Sequence, residues 1–330
     1  MREQPTRLNG KYTEIYNWQS STDASLCVYY KKATSRGKAN AQKNAQKKAK
    51  GVIQINHGLA EHGGRYARFA EALSKAGYHV YAHDHRGHGA TMAPNASQGV
   101  FALENGSDKV LQDVKFVVGK IRKQHPDLPL IMFGHSMGAM ITYNYLLRWP
   151  EDIDACAIWN AAMSKGGANG LLKLILGFEG RFKKPDAASV IDKLTFSAFN
   201  KKFKPNQTNS DWLSKDVDEC REYDDDPDCG WPASVSMWKD LLAWVLRGAS
   251  DEGLENVPKS LPIYLLGGDA DPSTLNAKGT SDLQSRMQAV GLTNVKTTIR
   301  KDGRHEALNE PKAEREAVVA EFLDWLASNT

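Results

Sequence analysis

Leu130-Ile131-Met132-Phe133 leads without a break into Gly134-His135-Ser136-Met137-Gly138, and that into Ala139-Met140-Ile141-Thr142-Tyr143-Asn144-Tyr145-Leu146-Leu147-Arg148. A short apolar run, then Gly-x-Ser-x-Gly, then apolar residues at helical spacing reads as strand, sharp turn and packed helix. The two glycines let turn and helix approach closely, and the strained turn lifts the serine hydroxyl out of the sheet. The pentapeptide alone recurs by chance; the strand before it and the helix after it give it meaning. Ser136 is therefore read as a nucleophile.

Outward from this turn, strands and helices alternate. Residues 52–56 and 78–82 read as strands, and 65–75 and 108–123 as helices, the second with Val110, Leu111, Val114, Val117, Val118 and Ile121 along one side. Residues 153–159 form a further strand, while 11–17 and 24–31 read as an antiparallel hairpin or meander. Such alternation places the chain in the α/β class, with a mostly parallel sheet covered on both faces. The pattern breaks near Met163 and resumes at Leu261. Between them lie an apolar helix at 171–178, a polar, aromatic stretch at 196–231 and an amphipathic helix at 235–246. This region reads as a helical cap inserted over the strand ends. Residues 263–266 and 295–299 then read as strands, 281–290 and 311–326 as helices. The expected organisation is a core from 1–162 and 259–330, interrupted by a cap at 163–258.

At 330 residues, 41% hydrophobic and 25% charged, the chain has an ordinary globular composition and room for a sizeable core. Its net charge of +4 conceals an asymmetry: Lys31, Lys32, Arg36, Lys38, Lys43, Lys47, Lys48 and Lys50 share one acid-free stretch, so the remainder is mildly acidic. That stretch reads as a solvated connection or hairpin tip. No nucleic-acid partner is expected; a peripheral contact with an anionic membrane is the macromolecular contact it suits. No apolar segment reaches the roughly 18–20 residues that span a bilayer. The opening Met1-Arg2-Glu3-Gln4-Pro5 lacks an apolar signal core, so a cytoplasmic location is expected. Reduced thiols are expected with it, Cys27 and Cys156 buried in strands and Cys220 and Cys229 unpaired. No metal-ligand spacing, phosphate loop or dinucleotide fingerprint is found, so no metal and no cofactor is expected.

A serine hydroxyl needs a base to take its proton, and the base needs an acceptor to fix its tautomer. Where the serine sits on such a turn, the acid and then the histidine follow it in the chain. After Ser136 one histidine remains, His305, in the loop Asp302-Gly303-Arg304-His305-Glu306 between the last strand and the last helix. The acid belongs after the strand at 263–266, where Asp269 and Asp271 compete. Asp271, just before Pro272, is favoured, and Asp269 becomes the turn-former. Two backbone amides should hold the oxyanion, those of Met137 and of Leu59 in His57-Gly58-Leu59-Ala60. His57 is read as structural, and Asp84-His85-Arg86-Gly87-His88-Gly89 as a turn rather than a metal site.

His57-Gly58-Leu59-Ala60-Glu61-His62-Gly63-Gly64-Arg65-Tyr66, Asp84 to Gly89, Gly134 to Gly138 and Arg304-His305-Glu306 together resemble the monoacylglycerol lipase and lysophospholipase group of α/β-hydrolases. That group shares the serine aminopeptidase S33 label, although many of its members are esterases. The resemblance runs over roughly residues 20–328. It implies the α/β-hydrolase fold with a helical cap after the sixth strand, a triad of Ser136, Asp271 and His305, and Leu59 and Met137 as oxyanion donors. It also sets Glu61 and Arg65 beside the pocket that receives a polar head such as glycerol. Leu308 departs from the pattern, standing where the animal monoacylglycerol lipases have a second histidine. The implied activity is serine-dependent hydrolysis of lipophilic carboxylic esters, small-molecule lipid esters such as monoacylglycerol or lysophospholipid. The rivals are an aminopeptidase or amidase, for which Asp224-Asp225-Asp226 would bind a free amino terminus, and a non-catalytic binding protein on the same fold.

Overall fold

The computed structural model describes residues 12–34, 49–163 and 167–330. Eight strands form one sheet: β1 Glu14–Gln19, β2 Ser25–Lys31, β3 Gly51–Asn56, β4 Tyr78–His83, β5 Leu130–His135, β6 Ala155–Trp159, β7 Ile263–Gly268 and β8 Val295–Arg300. Their order is β1-β2-β4-β3-β5-β6-β7-β8. The β1–β2 and β2–β4 pairs are antiparallel and all others parallel. The expected hairpin is therefore the antiparallel edge of a parallel sheet.

Parallel strands are buried on both faces, and their side chains divide accordingly. Val52, Leu130, Met132, Cys156, Ile158, Ile263 and Leu265 face one core. It is closed by α2 (Gly106–Gln124), α3 (Met137–Arg148) and α7 (Val235–Ala249), with Val114, Ile141 and Leu241 among the contacts. Their neighbours Ile53, Ile131, Phe133, Ala157, Trp159, Tyr264 and Leu266 face the other core, under α1 (Ala67–Lys75) and α9 (Lys312–Asn329). Phe133, Trp159 and Phe322 meet there in edge-on aromatic contacts.

Element ends shift from expectation where capping decides them. The run at 65–75 is a 3-10 turn, Gly63–Tyr66, capped by the His62 ring, before α1 proper. The last parallel helix before β8, α8, starts early, at Lys278, and runs to Ala289. Between β6 and β7 the chain forms α4 (Gly167–Phe182), α5 (Val190–Lys201), α6 (Val217–Asp225) and α7. The stretch 196–231, read only as polar and aromatic, holds the end of α5 and all of α6. In α6 only Cys220 is buried, so the helix has no apolar period to read, and the Asp216 cap is its one local signal. All four cysteines are buried and free. Most of the basic stretch, 35–48, lies outside the described residues. Among the described residues no helix is long and apolar enough to cross a membrane.

Candidate active site

The site lies at the carboxyl ends of the parallel strands, where strand ends and helix starts leave a crevice. Ser136, between β5 and α3, has φ 55° and ψ −119°, a conformation unusual for a residue with a side chain. The turn closes only because its flanks are glycine. A Cβ on Gly138 would lie 2.0 Å from the Asn56 carbonyl oxygen, and one on Gly134 would lie 2.2 Å from that of Gly138. Met137 opens α3, so its amide is one of the free donors at a helix start. The Met137 and Leu59 amides donate to no acceptor among the described residues.

His305 stands in the β8–α9 loop, buried, with its Nδ1 2.9 Å from Asp271 Oδ2. Since an ionised carboxylate can only accept, Nδ1 carries the proton and Nε2 keeps its lone pair. Asp271 caps a 3-10 turn after β7 and is fully buried. Burial alone would raise its carboxyl, but His305, Asn160 and Ser273 hold it below the usual range. Asn160 donates to Oδ2 at 3.0 Å, and Ser273 Oγ donates to Oδ1 at 2.7 Å while lying 2.9 Å from His305 Nδ1. Asp269 instead accepts from the Asp302 amide at 2.7 Å. Of the two competing aspartates, the structure brings Asp271 to His305, while Asp269 holds a turn.

Leu59, Ser136, Met137 and His305 all line one cavity of about 1060 Å³. This is the upper end of the ~300–1,000 Å³ typical of small-molecule sites. Its walls come largely from the region between β6 and β7: Leu172, Ile191, Phe196, Trp238, Leu241 and Val245 on helices, and Trp212 on the turn between α5 and α6. The same region also grips the histidine loop. The His305 amide donates to Trp212 O at 3.4 Å and the Glu306 amide to Leu213 O at 2.7 Å. Arg304 donates to Asp211 O and Ser214 O, and the Trp212 ring lies 4.7 Å from the His305 ring.

Glu61 and Arg65, placed beside the pocket by resemblance, are not a surface ion pair. Arg65 lies 2.5 Å from Glu61 Oε2 and forks onto both oxygens of Glu306 at 2.7 and 2.8 Å. Its side chain is 13% exposed, those of the two glutamates 4% and 7%. Burial would raise both carboxyls, but Arg65 first and His135 after it hold them below their ordinary value.

The neighbouring motif residues are structural. His57 Nε2 accepts from the His85 amide at 2.9 Å. Asp84 accepts from the amides of Gly63 and Ala90, each at 2.8 Å, and Arg86 pairs with Asp113 at 2.8 Å. His62, Asp226 and Cys229 bring possible metal-binding atoms within 4.8 Å of one another. The Gly64 amide donates to His62 Nδ1, however, so Nε2 carries the proton and donates to Asp226 at 3.1 Å. A protonated Nε2 offers a metal no lone pair, so the group is a latch between the α6–α7 connection and the turn before α1. Asp224 and Asp225 are exposed, Asp226 half-buried.

Sequence reasoning passed over Asn160, Ser273, His135, Trp212 and Glu306. Asn160 had one local signal, an asparagine directly after a strand, and the structure gives it φ 52°, a region asparagine tolerates. His135, Ser273 and Glu306 stand within two residues of Ser136, Asp271 and His305, but their partners, like the place of Trp212, are supplied only by the fold.

The family model described as serine aminopeptidase S33 matches residues 47–312. The monoacylglycerol lipase of Mycolicibacterium smegmatis is 28% identical over 285 residues, 85% of this chain and 89% of the relative. Human monoglyceride lipase is 30% identical over 231 residues, 67% of this chain and 65% of the relative. Among solved structures, a thermostable carboxyl esterase from Bacillus coagulans superposes with a TM-score of 0.83 at 24% identity, covering 96% of this chain and 98% of its own. The monoglyceride lipase of Saccharomyces cerevisiae does so with a TM-score of 0.71 at 17% identity, covering 99% of both. These two structures establish the α/β-hydrolase fold.

Proposed function

The chain belongs to the serine aminopeptidase S33 family and is a serine ester hydrolase, and we propose that it cleaves carboxylic esters of lipophilic acyl groups, with monoacylglycerol the leading substrate and lysophospholipid next. The observation that carries this reading is the Asp271–His305 hydrogen bond at the floor of a large cavity with apolar walls that Ser136 also lines. The names of the M. smegmatis and human relatives add support for the glyceride.

In this reading Ser136 Oγ attacks the acyl carbon and His305 Nε2 takes its proton. Asp271 holds the imidazole by Nδ1 and stabilises the cation that forms. The developing oxyanion is met by the Leu59 and Met137 amides, which have no competing acceptor among the described residues. His305 passes the proton to the leaving alcohol, and water repeats the sequence on the acyl-enzyme. The helices at 163–258 serve as the cap that receives the acyl chain.

The cap also supports a peripheral contact with lipid. Leu171, Leu174, Phe178 and Phe182 on α4 and Leu194 on α5 are 61–73% exposed. Exposed Lys173, Arg181, Lys184 and Lys193 lie among them. An apolar face rimmed by cations suits an anionic lipid surface.

The test is hydrolysis of 1-monoacylglycerols of increasing chain length, with Ser136→Ala as the blank. Turnover that rises with chain length and vanishes in the variant is expected. Absence of turnover on every glyceride would sink the glyceride assignment.

A further inference from the structure

Three separate chain segments must be held in register for this chemistry: the turn bearing Leu59, the turn bearing Ser136 and the loop bearing His305. One buried carboxylate touches the supports of all three. Glu61 Oε1 accepts from the Gly58 amide at 2.5 Å and from the Tyr66 hydroxyl at 2.8 Å, fixing the backbone immediately before Leu59. The approach is so close that a Cβ on Gly58 would lie 2.6 Å from Oε1. The same oxygen lies 3.6 Å from Nδ1 of His135, the residue before Ser136. The His135 Nε2 donates onward to the His305 carbonyl at 3.0 Å. Through its other oxygen Glu61 binds Arg65, which forks onto Glu306, the residue after His305. Asn309 fixes Glu306 from the far side at 2.7 Å.

We propose that Glu306, acting with Arg65 and Glu61, is a positioning residue that locks the oxyanion turn to the His305 loop, and that Arg65 is not a ligand for the substrate's polar head. The proposal rests on the ester-hydrolase reading above. Three of the five N–H groups of Arg65 are already engaged by the two carboxylates, its guanidinium lies 4.9 Å from the Tyr223 ring, and the residues lining the cavity beside Ser136 include Glu61 and Glu306 but not Arg65. The arrangement also explains how buried charges persist. Each carboxylate has the guanidinium as its partner, and the planar fork fixes distance and angle together. A loop bearing a base must be held to a fraction of an ångström, since displacement by about 1 Å can cost roughly 100-fold in rate.

The test compares wild type with Glu306→Gln and Arg65→Lys on two esters: p-nitrophenyl butyrate, which has no polyol head, and 1-monobutyrylglycerol. Glu306→Gln keeps an acceptor but loses the charge; Arg65→Lys keeps the charge but loses the fork. The expected result is a fall in kcat of about 10- to 100-fold on both esters in both variants, with KM within twofold of wild type. Partial recovery in Glu306→Asp would strengthen the positioning role. A rise in KM confined to the glyceryl ester would overturn the proposal and make Arg65 a head-group ligand. Unchanged kcat in both variants would overturn it too. Because wild-type turnover of p-nitrophenyl butyrate and fluorophosphonate labelling of Ser136 are measured alongside, failure of the hydrolase reading is told apart: there the wild type itself is inert. Loss of fold in Glu306→Gln would show as a collapsed thermal transition, and Arg65→Lys then decides.

Discussion

Replacing His83 with asparagine should flatten the acid limb of the protein's stability curve. His83 is fully buried at the end of β4, its ring 4.6 Å from that of His85. Burial first, and His57 second, push its pKa down to about 3 from an ordinary 6.5. A histidine whose folded pKa is depressed binds its proton more readily in the unfolded chain. Stability is therefore lost as pH falls below 6.5, and the loss continues until about 3. At about 1.4 kcal/mol per pH unit, one such group removes roughly 2–3 kcal/mol between pH 7 and 4.5. That is a large share of a typical ~5–15 kcal/mol. Asp192 and Asp240, raised by burial to about 6, act in the opposite sense, gaining stability as pH falls. They are present in both proteins and cancel in the comparison. Urea unfolding followed by tryptophan fluorescence at pH 7 and 4.5 gives the two differences. Wild type should lose about 2–3 kcal/mol more than His83→Asn over this range. Parallel losses, within about 0.5 kcal/mol, would refute the reasoning, whatever the variant's stability at pH 7.

Gly138→Ala should destabilise the fold by at least about 2 kcal/mol, because the added methyl meets backbone oxygen at 2.0 Å with no flexible group to yield; thermal unfolding checks it. Asn160→Ala removes one of the groups holding the Asp271 carboxylate and should lower kcat on p-nitrophenyl butyrate about tenfold with KM unchanged, the scale of a lost hydrogen bond to a charged group. Phe178→Glu should abolish sedimentation with anionic vesicles while leaving hydrolysis of a water-soluble ester at the wild-type rate; equal sedimentation would exclude α4 as the contact.

The parts of this architecture that depend on neighbours in the chain were readable before any coordinates. The strand, turn and helix around Ser136 reveal themselves through apolar periodicity and two glycines. His305 follows because no other histidine stands after the serine, and Asp271 because it trails β7 by a short turn. The harder parts are those in which the partners are distant. Arg65 and Glu306 are 241 positions apart, and nothing at either site announces the other. A charge at Arg65 reads equally as a surface residue or a ligand until the fold supplies its two carboxylates. Helix α6 was hidden for another reason: it buries one side chain, so the burial period that reveals helices is missing. Helices that bury few side chains are under less patterning constraint than those that seal the core.

The hydrogen bonds from residues 304–306 to 211–214 divide the region between β6 and β7 into parts with unequal freedom to change. Segment 211–214 carries the histidine loop on its backbone, so a substitution there is felt by the reaction itself. Helix α5 shares that constraint, because its Asn200 accepts from the Trp212 amide at 3.1 Å and its Phe196 stacks on the Trp212 ring, whereas α4 borders the cavity through Leu172 away from that loop and can be redrawn at less cost to the chemistry. Descendants of this chain can therefore drift in diet while keeping the same engine.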